Sequence, residues 1–179
     1  SEIAPMWIKN TLKPIIEILA GIPSVVLGFI GILVLVPFLR KFMGLPTGLT
    51  GFTGAILLGL ISIPTIVAVA EEALNTVPTS YRQAALALGA TKWQTIWGVT
   101  LPAAKSGVLT AVMLGIGRSL GETMAVMMVT GNAAVIPLQL NSLFRPLRTM
   151  TATIASEMGE VATGSAHYEV LFFIGILLF

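Results

Sequence analysis

Residues 18–39 read ILAGIPSVVLGFIGILVLVPFL, and this stretch decides the fold class. Its 22 residues include no charged side chain, and Arg40 and Lys41 follow it directly. A helix of about 20 apolar residues is long enough to cross the hydrocarbon core of a bilayer. The stretch therefore predicts a membrane-spanning helix. At 22 residues it is too long for the apolar region of a cleavable signal peptide.

The composition of the chain excludes most other classes of protein. Charged residues are 10% of the 179 residues, whereas a soluble domain has about 25%, and apolar types make up 55%. The absence of cysteine excludes disulfide frameworks, thiolate nucleophiles and Cys-ligated zinc. A net charge of +2, scattered along the chain, does not favour nucleic-acid binding. An integral membrane protein is the class that remains.

Three more apolar segments follow the first. They are residues 42–70, with the spanning part from about Gly51, residues 106–130, and a segment from about His167. Because period-2 alternation is absent and the runs are long, strands are not expected. We expect an all-α integral membrane protein with about four membrane segments in a single domain, residues 1–179. The chain starts without Met and stops inside an apolar run, so we expect a fragment cut in its last helix.

The polar stretch 71–105 predicts two short helices joined by a glycine corner. A capping-box pattern at residues 80–83 starts the first helix, and Gly89 supplies a left-handed stop. A second such pattern at residues 91–94 starts another helix, which we expect to end near Trp97. Two interpretations stay open on these features. The hairpin lies at the membrane interface with its tryptophans at headgroup level, or it docks a soluble partner.

The spacing of the residues in this loop favours docking. Gln83-Ala84-Ala85 is followed by three residues, Gly89, nine residues and Val99-Thr100-Leu101-Pro102. This pattern resembles the EAA loop of ABC importer permeases, with Gln83 in place of Glu and Val99 in place of Ile. The resemblance implies a MetI-like permease core and a cytoplasmic coupling loop, about 71–105, that contacts an ATPase subunit. The coupling residues that it implies are Gln83, Ala84, Ala85, Gly89, Leu101 and Pro102.

Other stretches are similar to one subfamily of these permeases. They read EILAGIPSVV at residues 17–26, GRSLGETMAV at 117–126 and TATIASEMGE at 151–160. They resemble the C-type membrane subunit of the phosphate-specific (Pst) importer. The resemblance implies a second permease subunit, an ATPase dimer inside and a phosphate-binding protein outside, in a prokaryotic plasma or inner membrane. It implies no cofactor on this chain, because ATP and Mg belong to the ATPase, and it implies no nucleic-acid partner.

Arg118 and Glu122 are candidates for the translocation pathway or gate. Their i, i+4 spacing places them on one face of a continuous helix, near the bilayer midplane. A charge that faced lipid there would cost about 2.5 kcal/mol or more, so each should face a partner or a wet cavity. A structural lock between helices is the alternative to a role in transport. Gly117 and Gly121 on the same helix favour close packing.

The remaining polar residues predict neither catalysis nor metal binding. Glu157 and Glu160 are expected at a solvated helix end, and His167, the single histidine, as an interfacial anchor. No P-loop pattern and no nucleophile–base pair is present, so no enzyme is expected. The leading hypothesis is therefore the translocation subunit of an ATP-driven phosphate importer. The alternatives are a permease for molybdate or sulfate and, less favoured, a channel or an intramembrane enzyme.

Overall fold

The computed structural model describes residues 6–136 and 140–179. In this part of the chain 77% of the structure is helical, and no strand is present. The helices are α1 Met6–Gly21, α2 Ser24–Ile30, α3 Val36–Met43, α4 Gly51–Asn75, α5 Thr79–Ala87, α6 Lys92–Thr95, α7 Leu101–Ala103, α8 Lys105–Gly121, α9 Met124–Thr130, α10 Met150–Glu157 and α11 Ala166–Leu178. The π-turns Gly31–Leu35 and Ile96–Thr100 join α2 to α3 and α6 to α7, and a 3₁₀ helix covers Leu140–Phe144. The all-α expectation is confirmed.

Two continuous helices are long and apolar enough to cross a membrane. They are Ser24–Met43, which comprises α2, its π-turn and α3, and Gly51–Asn75. The helices Lys92–Ala103 and Lys105–Gly121 form a third candidate only as a pair, bent by 70°. α11 is apolar but has 13 residues. Segments two and four therefore begin as predicted, at Gly51 and near His167, whereas the other two differ from the prediction.

The first span is shifted toward the carboxyl end relative to its predicted position. Pro23 has extended backbone, with φ −56° and ψ 134°, so α1 ends at Gly21 and a new helix begins at Ser24. A residue that precedes proline avoids the helical region, which explains the break at this point. Arg40 and Lys41 do not close the span but lie in its last turn. Cations are favourable there because they face the negative end of the helix dipole.

Each π-turn is followed, after one residue, by a proline. The Val36 N–H donates to the Gly31 carbonyl and the Leu101 N–H to the Ile96 carbonyl, five residues back. The next residue is a proline, Pro37 in the first case and the proline of Leu101-Pro102 in the second. Proline lacks an N–H, and its ring clashes with the carbonyl four residues earlier. A wider turn relieves both problems. Proline alone does not produce a π-turn, since Pro64 lies in regular α-helix within α4.

The third span is interrupted where a continuous helix was predicted. α8 ends at Gly121, and Glu122 and Thr123 precede the separate helix α9. A Glu122 carboxylate oxygen accepts a hydrogen bond from the Ala125 N–H (3.3 Å), and the Thr151 hydroxyl donates to the Glu122 carbonyl (3.3 Å). Glycine at position 121 weakens the helix at the same point. The prediction that Arg118 and Glu122 share one helix face is therefore wrong.

The chain divides into two compact units. One comprises α1 and Ser62–Gly117, where α4 and α8 pack closely: a Cβ added at Gly115 would lie 2.3 Å from an Ile66 side-chain carbon. The other comprises Ile22–Ile61 and Arg118–Phe179.

In this second unit α2 packs on α9. Its buried core contains Leu57, Ile61, Ala125 and Val129. The expectation of a single domain over residues 1–179 stays a prediction.

Candidate functional site

The first half of the loop 71–105 is a short helix with a left-handed end. α5 runs from Thr79 to Ala87, and Gly89 has φ +83°. The N–H groups of Leu88 and Ala90 donate to carbonyls of α5 at 3.1 Å, which closes the corner. The predicted glycine stop is confirmed. The capping box predicted at residues 80–83 is wrong, because the helix begins two residues earlier than that box requires and its N-cap, Pro78, has no side-chain cap to offer.

The second half of the loop begins with the predicted capping box. The Gln94 N–H donates to the Thr91 hydroxyl at 3.3 Å, and the Thr91 N–H donates to the Gln94 side chain at 2.8 Å. The helix does not end near Trp97. It continues through the π-turn Ile96–Thr100 and α7 to the 70° bend before Lys105. Prolines usually end helices, and here the π-turn accommodates Pro102 instead.

The corner presents a mostly apolar outer surface. Gln83, Ala84 and Gly89 are exposed, and Ala85 is half-buried. Large apolar side chains beside them are also exposed; these are Tyr81 (55%), Leu86 (49%), Leu88 (90%), Trp93 (58%) and Trp97 (65%). An exposed apolar patch of this kind is typical of a surface that contacts a protein partner or a membrane. Leu101 and Pro102 lie elsewhere, in the last turn before the bend.

Arg82 ties this corner to the end of the second span. Its guanidinium donates to the Leu74 carbonyl at 2.8 Å, across eight residues of chain. The last four carbonyls of a helix have no partner within the helix. Arg82 satisfies one of them and fixes α5 against α4. Sequence reasoning missed this contact, although a cation shortly after a helix end is a signal for such a cap.

Arg118 and Glu122 lie on either side of the break between α8 and α9. Arg118 is exposed in the last turn of α8. Glu122 is partly buried and accepts the hydrogen bond from Ala125 that begins α9. A carboxylate at this position also faces the positive end of the α9 dipole. Glu122 therefore has a structural role whether or not it contributes to transport.

A second charged group lies between α10 and α11. The Arg148 guanidinium and the His167 ring both contact the Glu157 carboxylate, His167 at 2.9 Å. Glu157 was expected at a solvated helix end and His167 as an interfacial anchor, and neither interpretation anticipated this contact. Glu160 is exposed, as expected. The two partners of Glu157 lie nine and ten residues away along the chain, so no local sequence pattern reveals this group.

Comparison with known proteins identifies relatives along the whole chain. The family model described as "Binding-protein-dependent transport system inner membrane component" matches residues 4–179. The probable ABC transporter permease protein YqgH of Bacillus subtilis (strain 168) is 45% identical over 178 residues, which are 99% of this chain and 57% of that protein. The phosphate transport system permease proteins PstC of Pasteurella multocida (35%) and Xylella fastidiosa strain Temecula1 (36%) match all of this chain and 60% of their own length.

The similarity inferred from the loop and from residues 117–126 is confirmed by these relatives. The chain spans less than two thirds of their length. The family model matches all but three residues at one end of the chain, and the relatives are 35–45% identical to it. Both findings show the family. The chain belongs to the family of inner membrane components of binding-protein-dependent transport systems.

Proposed function

We propose that the chain forms part of the translocation subunit of an ATP-driven phosphate importer. One observation carries the proposal: the whole chain aligns at 35–36% identity with proteins named phosphate transport system permease PstC. On this proposal phosphate passes from an extracytoplasmic binding protein to the cytoplasm. The partners are a second permease subunit, an ATPase dimer that holds ATP and Mg, and the bilayer of the cell membrane.

The proposed docking surface for the ATPase is the corner around Gly89. Its exposed small residues Ala84 and Gly89 allow close approach, and the apolar side chains of Tyr81 and Leu88 supply surface to bury. Burial of apolar surface stabilises association by roughly 25 cal/mol per Å² before the costs of binding. Arg82 links this surface to α4, so movement of the corner would reach the second span. Leu101 and Pro102 shape the bend rather than the docking surface.

Uptake of radiolabelled phosphate by membrane vesicles that contain the complete transporter tests the function. We expect uptake to require ATP and the binding protein, and to persist in the presence of excess molybdate or sulfate. Competition by molybdate or sulfate at concentrations equal to phosphate would favour the alternative cargo. Uptake that persists without ATP would favour a channel.

Arg118 and Glu122 are proposed to line the translocation pathway. Arg118 would attract the passing oxyanion through its planar fork of donors, which suits phosphate oxygens. Glu122 would keep that attraction transient by offsetting the positive charge. The break between α8 and α9 changes the design of the test, because Glu122 also caps α9. Glu122→Gln keeps an oxygen acceptor for the cap and removes only the charge.

A pathway role and a structural lock predict different variant behaviour. For a pathway, we expect Arg118→Gln to reduce uptake per assembled complex at least about tenfold, and Arg118→Gln/Glu122→Gln to stay inactive. For a lock, each single variant should lower the amount of complex, because an uncompensated charge remains. The double neutral variant should then recover. Phosphate uptake normalised to assembled complex separates the two, and near-normal uptake by the double variant would exclude the pathway role.

A further inference from the structure

A basic cavity lies at the carboxyl end of the first span. It has a volume of about 730 Å³, and its walls are the last turns of α3, with Arg40 and Lys41, and the loop 44–49. All of these residues belong to one compact unit. Neither the coupling loop nor the pair Arg118 and Glu122 contributes to it. The proposed transport function therefore does not explain the cavity.

The loop wall of the cavity is held in place by hydrogen bonds. Gly44 takes φ +64° and turns the chain back along α3. Gly48 then approaches the helix so closely that an added Cβ would lie 2.1 Å from the Val36 carbonyl oxygen. The Thr53 hydroxyl, fully buried, donates to the Gly48 carbonyl at 2.6 Å and contacts the buried Thr50 hydroxyl at 3.0 Å. The backbone of the loop is thus fixed against α3 along one side of the cavity.

The charge of the cavity is positive. Arg40 and Lys41 are the only charged residues between positions 18 and 70, and no carboxylate lines the cavity. Within the described residues neither side chain has a hydrogen bond or ion pair with the rest of the chain. The end of α3 contributes about −0.5 elementary charge. Two cations outweigh it, so the cavity keeps a net charge of about +1.5.

The remaining lining is apolar apart from one hydroxyl. Val36, Pro37, Leu45, Pro46 and Leu49 line the cavity with Thr47, whose oxygen accepts from the Leu49 N–H at 3.1 Å. The Thr47 hydroxyl proton is therefore directed elsewhere and can be donated to a ligand. Charged donors at one side and apolar walls at the other suit an amphipathic anion.

We propose that this cavity binds a phosphate group. Arg supplies a planar fork that matches two phosphate oxygens, and Lys adds a point charge. A cavity at the end of a 20-residue span lies at the depth of lipid headgroups. Favourable interaction of the two cations with the helix dipole, or simple snorkelling, would explain basic residues here. Neither explains an open pocket beside them whose loop side is fixed by hydrogen bonds.

The phosphate group has two possible sources, a phospholipid headgroup and free phosphate, and the experiment has an arm for each. The complete transporter is purified and placed in neutral phosphatidylcholine nanodiscs. Retention of added phosphatidylglycerol is counted by native mass spectrometry, and binding of radiolabelled inorganic phosphate is measured on the same sample. The variants are Arg40→Gln/Lys41→Gln and the charge-preserving Arg40→Lys/Lys41→Arg. Arg145→Gln is the matched control, because Arg145 is an exposed cation of the same unit outside the cavity.

We expect the double neutral variant to lose at least about tenfold in affinity in one arm, since each cation near the membrane surface contributes substantially. The charge-preserving variant should keep most of the binding, and Arg145→Gln should match the unaltered chain. Loss in the lipid arm assigns a phospholipid, and loss in the phosphate arm assigns free phosphate. If the neutral variant does not assemble, the single variants Arg40→Gln and Lys41→Gln replace it. The proposal is overturned if the cavity variants and Arg145→Gln behave alike in both arms.

Discussion

At the scale of the residue, Gly89 shows how one backbone angle sets the corner of the loop 71–105. Its φ of +83° costs an L residue about 1–2 kcal/mol, while nothing lies within 4 Å of an added Cβ. A side chain there is therefore opposed by conformation and not by a clash. Asn tolerates this region better than Ala does, which separates geometry from bulk.

We accordingly predict an order among three substitutions of Gly89. Gly89→Asn should retain assembly, Gly89→Ala should weaken it because of the backbone strain, and Gly89→Asp should weaken it through a charge on the apolar docking surface. Co-purification of the ATPase and phosphate uptake per complex are the measurements. Equal, normal assembly in all three variants would show that the corner does not couple to the ATPase.

Single residues also show which contacts could be predicted from the sequence and which could not. Gly89 and Thr91 were predictable because their roles depend on neighbours within four positions. Glu122 was not, since the hydrogen bond from Thr151 to its carbonyl comes from 29 residues away. The contact of His167 with Glu157 crosses from one helix to another in the same way. Local patterns carry no information on such pairs.

At the scale of the element, the link between α5 and α4 depends on Arg82. We predict that Arg82→Leu leaves the transporter assembled but lowers phosphate uptake per ATP hydrolysed, because the substitution removes the hydrogen bond to the Leu74 carbonyl, worth about 1.5–3 kcal/mol. Arg82→Lys should restore part of the coupling. Lys92→Leu is the control, since Lys92 is an exposed cation of the same loop. An unchanged ratio of uptake to hydrolysis in Arg82→Leu would contradict this role.

The close packing of α2 on α9 can be tested by a substitution at Gly28. A Cβ added at Gly28 would lie 2.7 Å from the Ala125 Cα, whereas one added at Gly59 in α4 meets nothing within 4 Å. Gly28→Val should therefore destabilise the fold by about 1–3 kcal/mol through overpacking. Gly59→Ala should be neutral or slightly stabilising. Thermal unfolding in detergent measures both, and equal midpoints would refute the close contact.

Elements were predicted with mixed success for identifiable reasons. Composition alone located the span that begins at Gly51 and the apolar helix that begins near His167, because apolar length is a strong signal. It placed the start of the first span six residues too early, since Ile18 and its neighbours are as apolar as the span itself and apolar length alone does not reveal the break at Pro23. The turn Ile96–Thr100 was missed, because a widened helix has no sequence period of its own.

At the scale of the whole molecule, the proposed orientation has the loop 71–105 in the cytoplasm and Met150 on the outer side of the membrane. It can be tested directly because the chain contains no cysteine. Thr91 and Thr149 both cap helices, so the exposed residues Leu88 and Met150 are better positions for single cysteines. We predict that a membrane-impermeant thiol reagent labels Met150→Cys in intact cells and Leu88→Cys only after permeabilisation. The reverse pattern would invert the topology, and with it the proposed direction of transport.

The π-turn at residues 31–35 also sets the direction in which the side chains of the two halves of the first span point. An α-helix rotates by about 100° per residue, so one inserted residue would rotate all later side chains by that angle. A widened turn that holds the extra residue returns those side chains to their original direction. Such a turn can therefore hold one more residue in a helix that must keep both of its contact faces. Relatives that lack Pro37 are therefore expected to align here with a gap of one. In this chain, deletion of one residue from 31–35 should be tolerated better together with Pro37→Ala than alone, as measured by thermal unfolding in detergent.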